Sequence, residues 1–119
     1  TGANYSSTYL HASTTSPVSG RATGQTKWAY QYIGSASTLA DTFGTVKIWI
    51  PNYANTANFK QVIIETAMEN NSTTNSQWYL AQVAGLWSST SAITDIELSE
   101  PNAGMAQYST FTLYGVSGA

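Results

Sequence analysis

The sequence predicts an all-β chain, an antiparallel β-sandwich that is jelly-roll-like in form. Three observations predict it. Large side chains recur with a period of two in one segment after another. Turn-forming residues punctuate those segments at short intervals, giving about six or seven short strands. Aromatic residues make up 13% of the chain and charged residues only 8%, a balance that suits packed sheets and disfavours disorder.

Asn4 to Gly24 is rich in Ser, Thr, Gly and Ala. A strand is expected around Tyr5 to His11, followed by an ordered loop, because Pro17 and Gly20 read as breakers. In Thr26 to Ile33, Trp28, Tyr30 and Tyr32 alternate with Ala29, Gln31 and Ile33, which predicts a strand with one aromatic face. Gly34 to Ala40 is small and polar, with Leu39 and Phe43 as anchors. Thr45 to Ile50 is the clearest strand: Val46, Ile48 and Ile50 share one face, Lys47 and Trp49 the other, and Pro51 stops it. Tyr53 sits among the turn formers Pro51, Asn52 and Asn55, and is expected to fold back over the sheet edge.

Phe59 to Glu69 alternates again. Val62, Ile64, Thr66 and Met68 are expected to face inward, with the charged residues Lys60, Glu65 and Glu69 outside. Helix competes here, since Glu, Ala and Met favour it, but the Val62-Ile63-Ile64 run and the period of two favour a strand. Asn70 to Ser76 has no large apolar residue and reads as an exposed connection. Gln77 to Leu86 sets Tyr79, Ala81 and Val83 against Trp78, Leu80 and Gln82, and bulk on both sides suggests cover on both. Ala92 to Leu98 is expected to be a strand with Ile96 and Leu98 inward and Asp95 and Glu97 outward. After a turn at Pro101, Asn102 and Gly104, a last strand is expected over Ser109 to Val116, where Phe111 and Leu113 alternate with Thr110, Thr112 and Tyr114.

Residues 1–119 fit a single domain large enough to bury a core. With four Lys and Arg and a net charge of -2, the chain lacks the cationic density that a phosphate backbone demands, so nucleic acid is not expected as a partner. Cysteine is absent, which excludes disulfides, thiolate metal sites and cysteine nucleophiles. No apolar run approaches a helical membrane span and no signal-like segment opens the chain, so a soluble protein without a membrane partner is expected. The chain starts at Thr1, consistent with a processed product or a piece of a longer protein.

No residue set points to catalysis, so an enzyme is not expected, and neither is a cofactor. His11 is the only histidine and reads as a surface or loop residue. Asp95 and Glu97, with Glu100 beyond them, could ligate calcium or serve a glycosidase, but no acidic calcium loop or second carboxylate cluster accompanies them, and a solvated strand face is the expected reading. There is no G-x-S-x-G turn and no phosphate loop. The tryptophans Trp28, Trp49, Trp78 and Trp87 could stack on sugars or fill the core and subunit interfaces. Trp49 lies opposite the Val46, Ile48, Ile50 face, so an interface is expected to cover it, with a ligand platform as the alternative. Trp49, Tyr53 and Trp87 are the candidate interface or glycan contacts.

Three stretches carry a resemblance: Ile48 to Ala54 (IWIPNYA), Ala84 to Leu98 (AGLWSSTSAITDIEL) and Tyr108 to Val116 (YSTFTLYGV). In this order they resemble a family of small bacteriophage virion proteins of the structural, capsid-decoration or tail-fibre kind. The resemblance spans most of the chain and implies a place on the surface of the phage particle. It implies decoration or cementing of the capsid, or capping of a tail appendage, through oligomeric packing with other virion proteins and with copies of the chain itself, a trimer being expected. It also implies further strands ahead of Asn4 to Leu10 in a longer parent. The alternative is a receptor-binding or carbohydrate-binding module of a tail fibre, directed at a host surface glycan.

Overall fold

The computed structural model describes residues 2–13, 16–28, 40–71, 78–99 and 104–116. They form five strands: β1 (Tyr5–Ala12), β2 (Pro17–Gln25), β3 (Thr45–Trp49), β4 (Lys60–Met68) and β5 (Tyr79–Trp87). All neighbours are antiparallel in one sheet of order β2-β1-β5-β4-β3. An N-terminal hairpin is thus joined side by side to a three-strand meander, and the chain between β2 and β3 passes from one sheet edge to the other. The all-β reading holds; the described strands make one layer.

Side-chain alternation sorts the sheet into two faces. On the inner face, Val62, Ile64 and Val83 are each 1% exposed and form the core, with Tyr9, Trp28, Val46, Ile48 and Ile50 packed against them. The expected strands over Thr45 to Ile50, Phe59 to Glu69 and Gln77 to Leu86 appear as β3, β4 and β5. The period of two is strongest there because Val46, Ile48, Val62, Ile64 and Val83 all fall on inward-facing positions.

Lys60 corrects one assignment. It shares parity with Val62 and Ile64, so it faces inward and is 1% exposed. Its Nζ donates to the carbonyl oxygens of Asn58 (2.7 Å) and Thr90 (3.3 Å). Position along the strand, and not charge, set its face.

β2 corrects another, since this segment was expected to be a loop. Each apparent breaker occupies a position where it does little harm. Pro17 opens an edge strand, where a missing N–H is tolerated. Gly20 lies opposite Tyr9, whose ring occupies the space a Cβ would need. Gly24, at φ +65°, stands in the bulge where the register shifts between Tyr5 and Ser7, a left-handed conformation that glycine adopts freely.

Two expected strands are missing from the sheet. Residues 92–99 and 109–116 carry no strand pairing, and Ile96, Leu98, Phe111, Leu113, Tyr114 and Val116 are exposed. Among the described residues, neither segment lies against an edge of the sheet. Phe43 is also exposed, at 87%, and so anchors nothing. Of the expected strand over Thr26 to Ile33, residues 26–28 lie outside any strand and 29–33 lie outside the described residues, as do Leu39, 72–77, Pro101 and Asn102.

The inner face carries polar atoms as well. Ser7 Oγ and Thr66 Oγ1 are buried without a hydrogen-bond partner among the described residues. A buried hydroxyl left unsatisfied costs about 1–3 kcal/mol, and valine keeps the branched shape of threonine while removing that cost. Thr66→Val is therefore expected to stabilise the fold by about 1 kcal/mol. Urea denaturation with an unchanged slope checks it, and a lower midpoint would contradict the assignment.

Candidate interaction surface

The outer face of the sheet is open to solvent, and the strand register arranges it in three rows. In the first, Trp49, Ile63, Ala84, Thr8 and Arg21 follow one another across all five strands. In the second, Lys47, Glu65, Gln82, Leu10 and Ser19 follow one another across all five strands. In the third, the sequence is Thr45, Ala67, Leu80, Ala12 and Pro17. Trp49 and Ile63 are each 47% exposed, Leu10 53% and Leu80 62%. Apolar bulk therefore reaches water in every row, although a soluble subunit ordinarily keeps contiguous apolar surface small.

The charges in these rows are Arg21, at the β2 end of the first, and a cross-strand pair in the second. Lys47 Nζ lies 3.5 Å from Glu65 Oε2, with both side chains well solvated. An exposed pair of this kind contributes a few tenths of a kcal/mol at most. It leaves the second row without net charge. A shallow depression of about 560 Å³ runs over the second and third rows, lined in part by Leu10, Pro17, Lys47, Glu65 and Leu80.

Trp49 thus stands where its parity placed it, on the face opposite Val46, Ile48 and Ile50. Tyr53 lies four residues on, in the turn after β3, and is 50% exposed. Local hydrogen bonds hold this turn. The Asn55 N–H donates to the Asn52 carbonyl, while Asn55 Oδ1 accepts from the N–H groups of Ala57 and Asn58. The Tyr53 carbonyl accepts the Ile93 N–H at 2.9 Å, so the chain after β5 is fastened to this turn as well as to Lys60.

Trp87 does not join these two. It is half-buried at the inner-face end of β5, stacked on Tyr5 with ring centroids 6.3 Å apart. Tyr5 in turn meets Trp28 edge-on at 5.2 Å, and Trp28 donates its indole N–H to the Leu86 carbonyl. Trp87 and Trp28 therefore belong to an internal aromatic cluster. Residues that the sequence did not single out, Leu10, Ile63 and Leu80, complete the outer surface. Their parity was readable, but recognising them as neighbours required the pairing of β1 with β5 and of β5 with β4.

His11 is no loop residue. It sits on the inner face of β1, stacked on Tyr9 at 5.6 Å and tilted against Tyr79 at 5.1 Å, and its Nδ1 is buried without a hydrogen-bond partner among the described residues. Asp95 and Glu97 lie in the unpaired segment after β5 and not on a strand face, and Asp95 accepts a hydrogen bond from the Thr94 hydroxyl. Among the described residues, no three His, Asp or Glu side chains gather as a metal site would require. Neither family models, curated proteins nor solved structures gave a match to this chain.

Proposed function

We propose that this chain is a structural protein of a bacteriophage particle, decorating or cementing the capsid or capping a tail appendage by packing against copies of itself and other virion proteins. The observation that carries the packing is the outer face, with Trp49, Ile63, Leu10 and Leu80 in solvent on adjoining strands. The virion context rests on the resemblance of the three sequence stretches. In this reading the single sheet is one layer of a jelly-roll-like sandwich, and a neighbouring subunit covers the outer face. The assembly is a closed trimer on the particle surface, and no reaction is involved.

Trp49→Asp places a charge within the proposed contact without touching the core. It is expected to leave the thermal melt of the isolated chain unchanged while lowering its affinity for stripped particles at least tenfold. Particles that lack the protein yet keep their stability and host attachment count against the reading.

One observation favours a second reading, a receptor-binding or carbohydrate-binding module. Trp49 and Tyr53 present half-exposed rings on either side of the Pro51–Asn52 turn, and aromatic faces beside asparagine amides suit a glycan. Glycan-array binding that disappears in Trp49→Ala, with the fold intact, supports it; silence across bacterial surface polysaccharides removes it.

A further inference from the structure

We propose that residues 109–116 of one copy add as a sixth strand beside β3 of a second copy. This deepens the oligomeric packing proposed above and rests on it.

One chain carries both halves of such a contact. Among the described residues, β3 lies at the sheet edge and pairs only with β4, so the backbone groups on its other side are left without a ladder partner there. Along that edge the core is incompletely covered, because Val46, Ile48 and Ile50 pack against it yet are only partly buried. Residues 109–116 form the opposite case. Their alternation is that of a strand, yet among the described residues their one backbone hydrogen bond outside ladders is from the Ser109 N–H to the Ala106 carbonyl. Phe111 is 49% exposed, Leu113 84% and Tyr114 82%. A strand placed beside β3 satisfies both sets of groups. It sets Phe111 and Leu113 next to Val46 and Ile48 on the inner face, and Thr112 and Tyr114 next to Lys47 and Trp49 on the outer face.

The other edge suits it less. β2 offers Val18, Gly20 and Ala22 on its inner face, of which only Val18 is bulky, and its bulge at Gly24 bends the edge away. The donor is a second copy because this chain's own residues 109–116 stand in solvent while, among the described residues, only β4 lies beside β3. Reciprocal exchange around a ring closes the assembly, whereas exchange that fails to close yields filaments.

The test uses the full chain. Light scattering is expected to give a multiple of 12.7 kDa for the native chain. Thr112→Pro, which removes a strand N–H, and Leu113→Asp are both expected to reduce it to 12.7 kDa with the far-ultraviolet dichroism of the sheet retained. The chain has no native cysteine, so cross-links are unambiguous. Lys47→Cys mixed with Thr110→Cys, Thr112→Cys and Tyr114→Cys in turn should give a disulfide-linked dimer with at least one of them, since cross-strand neighbours lie within disulfide reach. An oligomer that survives both tail substitutions and yields no such cross-link overturns strand addition and leaves oligomeric packing standing. A native chain that is monomeric at every concentration overturns both. A disulfide that forms within one chain when both cysteines are placed on it, in a monomer, overturns the second copy as donor.

Discussion

Gly85→Ala is expected to destabilise the fold by about 3 kcal/mol, the upper end of what one added methyl group usually costs in a packed core. A Cβ at position 85 would lie 2.5 Å from Val62 Cγ1 and 2.8 Å from Trp28 Cδ1. The first contact is with a core side chain that is 1% exposed, on the strand next to β5, and has nowhere to move. The second is with the indole that lies over the sheet and donates to the Leu86 carbonyl. Glycine therefore makes the notch into which Trp28 fits, and Trp28 closes this end of the core with Tyr5 and Trp87. Guanidinium denaturation followed by tryptophan emission reads the loss. A double-mutant cycle with Trp28→Ala should show coupling of about 1 kcal/mol or more, since the two side chains touch. A Gly85→Ala protein as stable as the native one would mean that Trp28 packs elsewhere.

Lys60→Ala should cost about 3 kcal/mol, and Lys60→Met less than about 1 kcal/mol. The difference follows from which part of the lysine matters. Its stem fills inner-face space beside Trp87, its cross-strand neighbour, and alanine leaves that space empty. Its Nζ bonds two carbonyls, but Asn58 and Thr90 belong to exposed residues whose oxygens can turn to water. Loss of the ammonium also removes the cost of holding a charge away from solvent. Methionine retains the stem and gives up the bonds to Asn58 and Thr90. Amide exchange at Ile93, whose N–H bonds the Tyr53 carbonyl, should then quicken in both variants. Equal destabilisation by methionine and alanine would show that the carbonyl bonds dominate.

These two sites mark what the sequence could and could not reveal. β3, β4 and β5 were legible because Val46/Ile48, Val62/Ile64 and Tyr79/Val83 hold a parity that a solvated face cannot share. Lys60 was misplaced by its charge, although its parity already assigned it to the core face. β2 was hidden because its side chains are small or polar and its glycines are explained only by Tyr9 and the bulge, both set by pairing with β1. Residues 92–98 and 109–116 show the reverse: they have a strand's alternation without a neighbour, because an alternating sequence specifies two faces and leaves the partner strand unspecified. Trp49 and Tyr53 were legible as exposed aromatics. Trp87 lies on the other face, which its odd-numbered parity with Tyr79 and Val83 already implied.

In the proposed assembly, one sheet face forms the core of the subunit while the other face, and the chain after β5, meet other copies. Hydrogen exchange across a dilution series tests it most directly. Amides of β1, β4 and β5 should stay protected at every concentration, while those of residues 109–116 and of the open edge of β3 should be protected only where light scattering reports an oligomer. Protection of 109–116 that is unchanged on dilution to monomer, or loss of protection in β5 together with the tail, would contradict it.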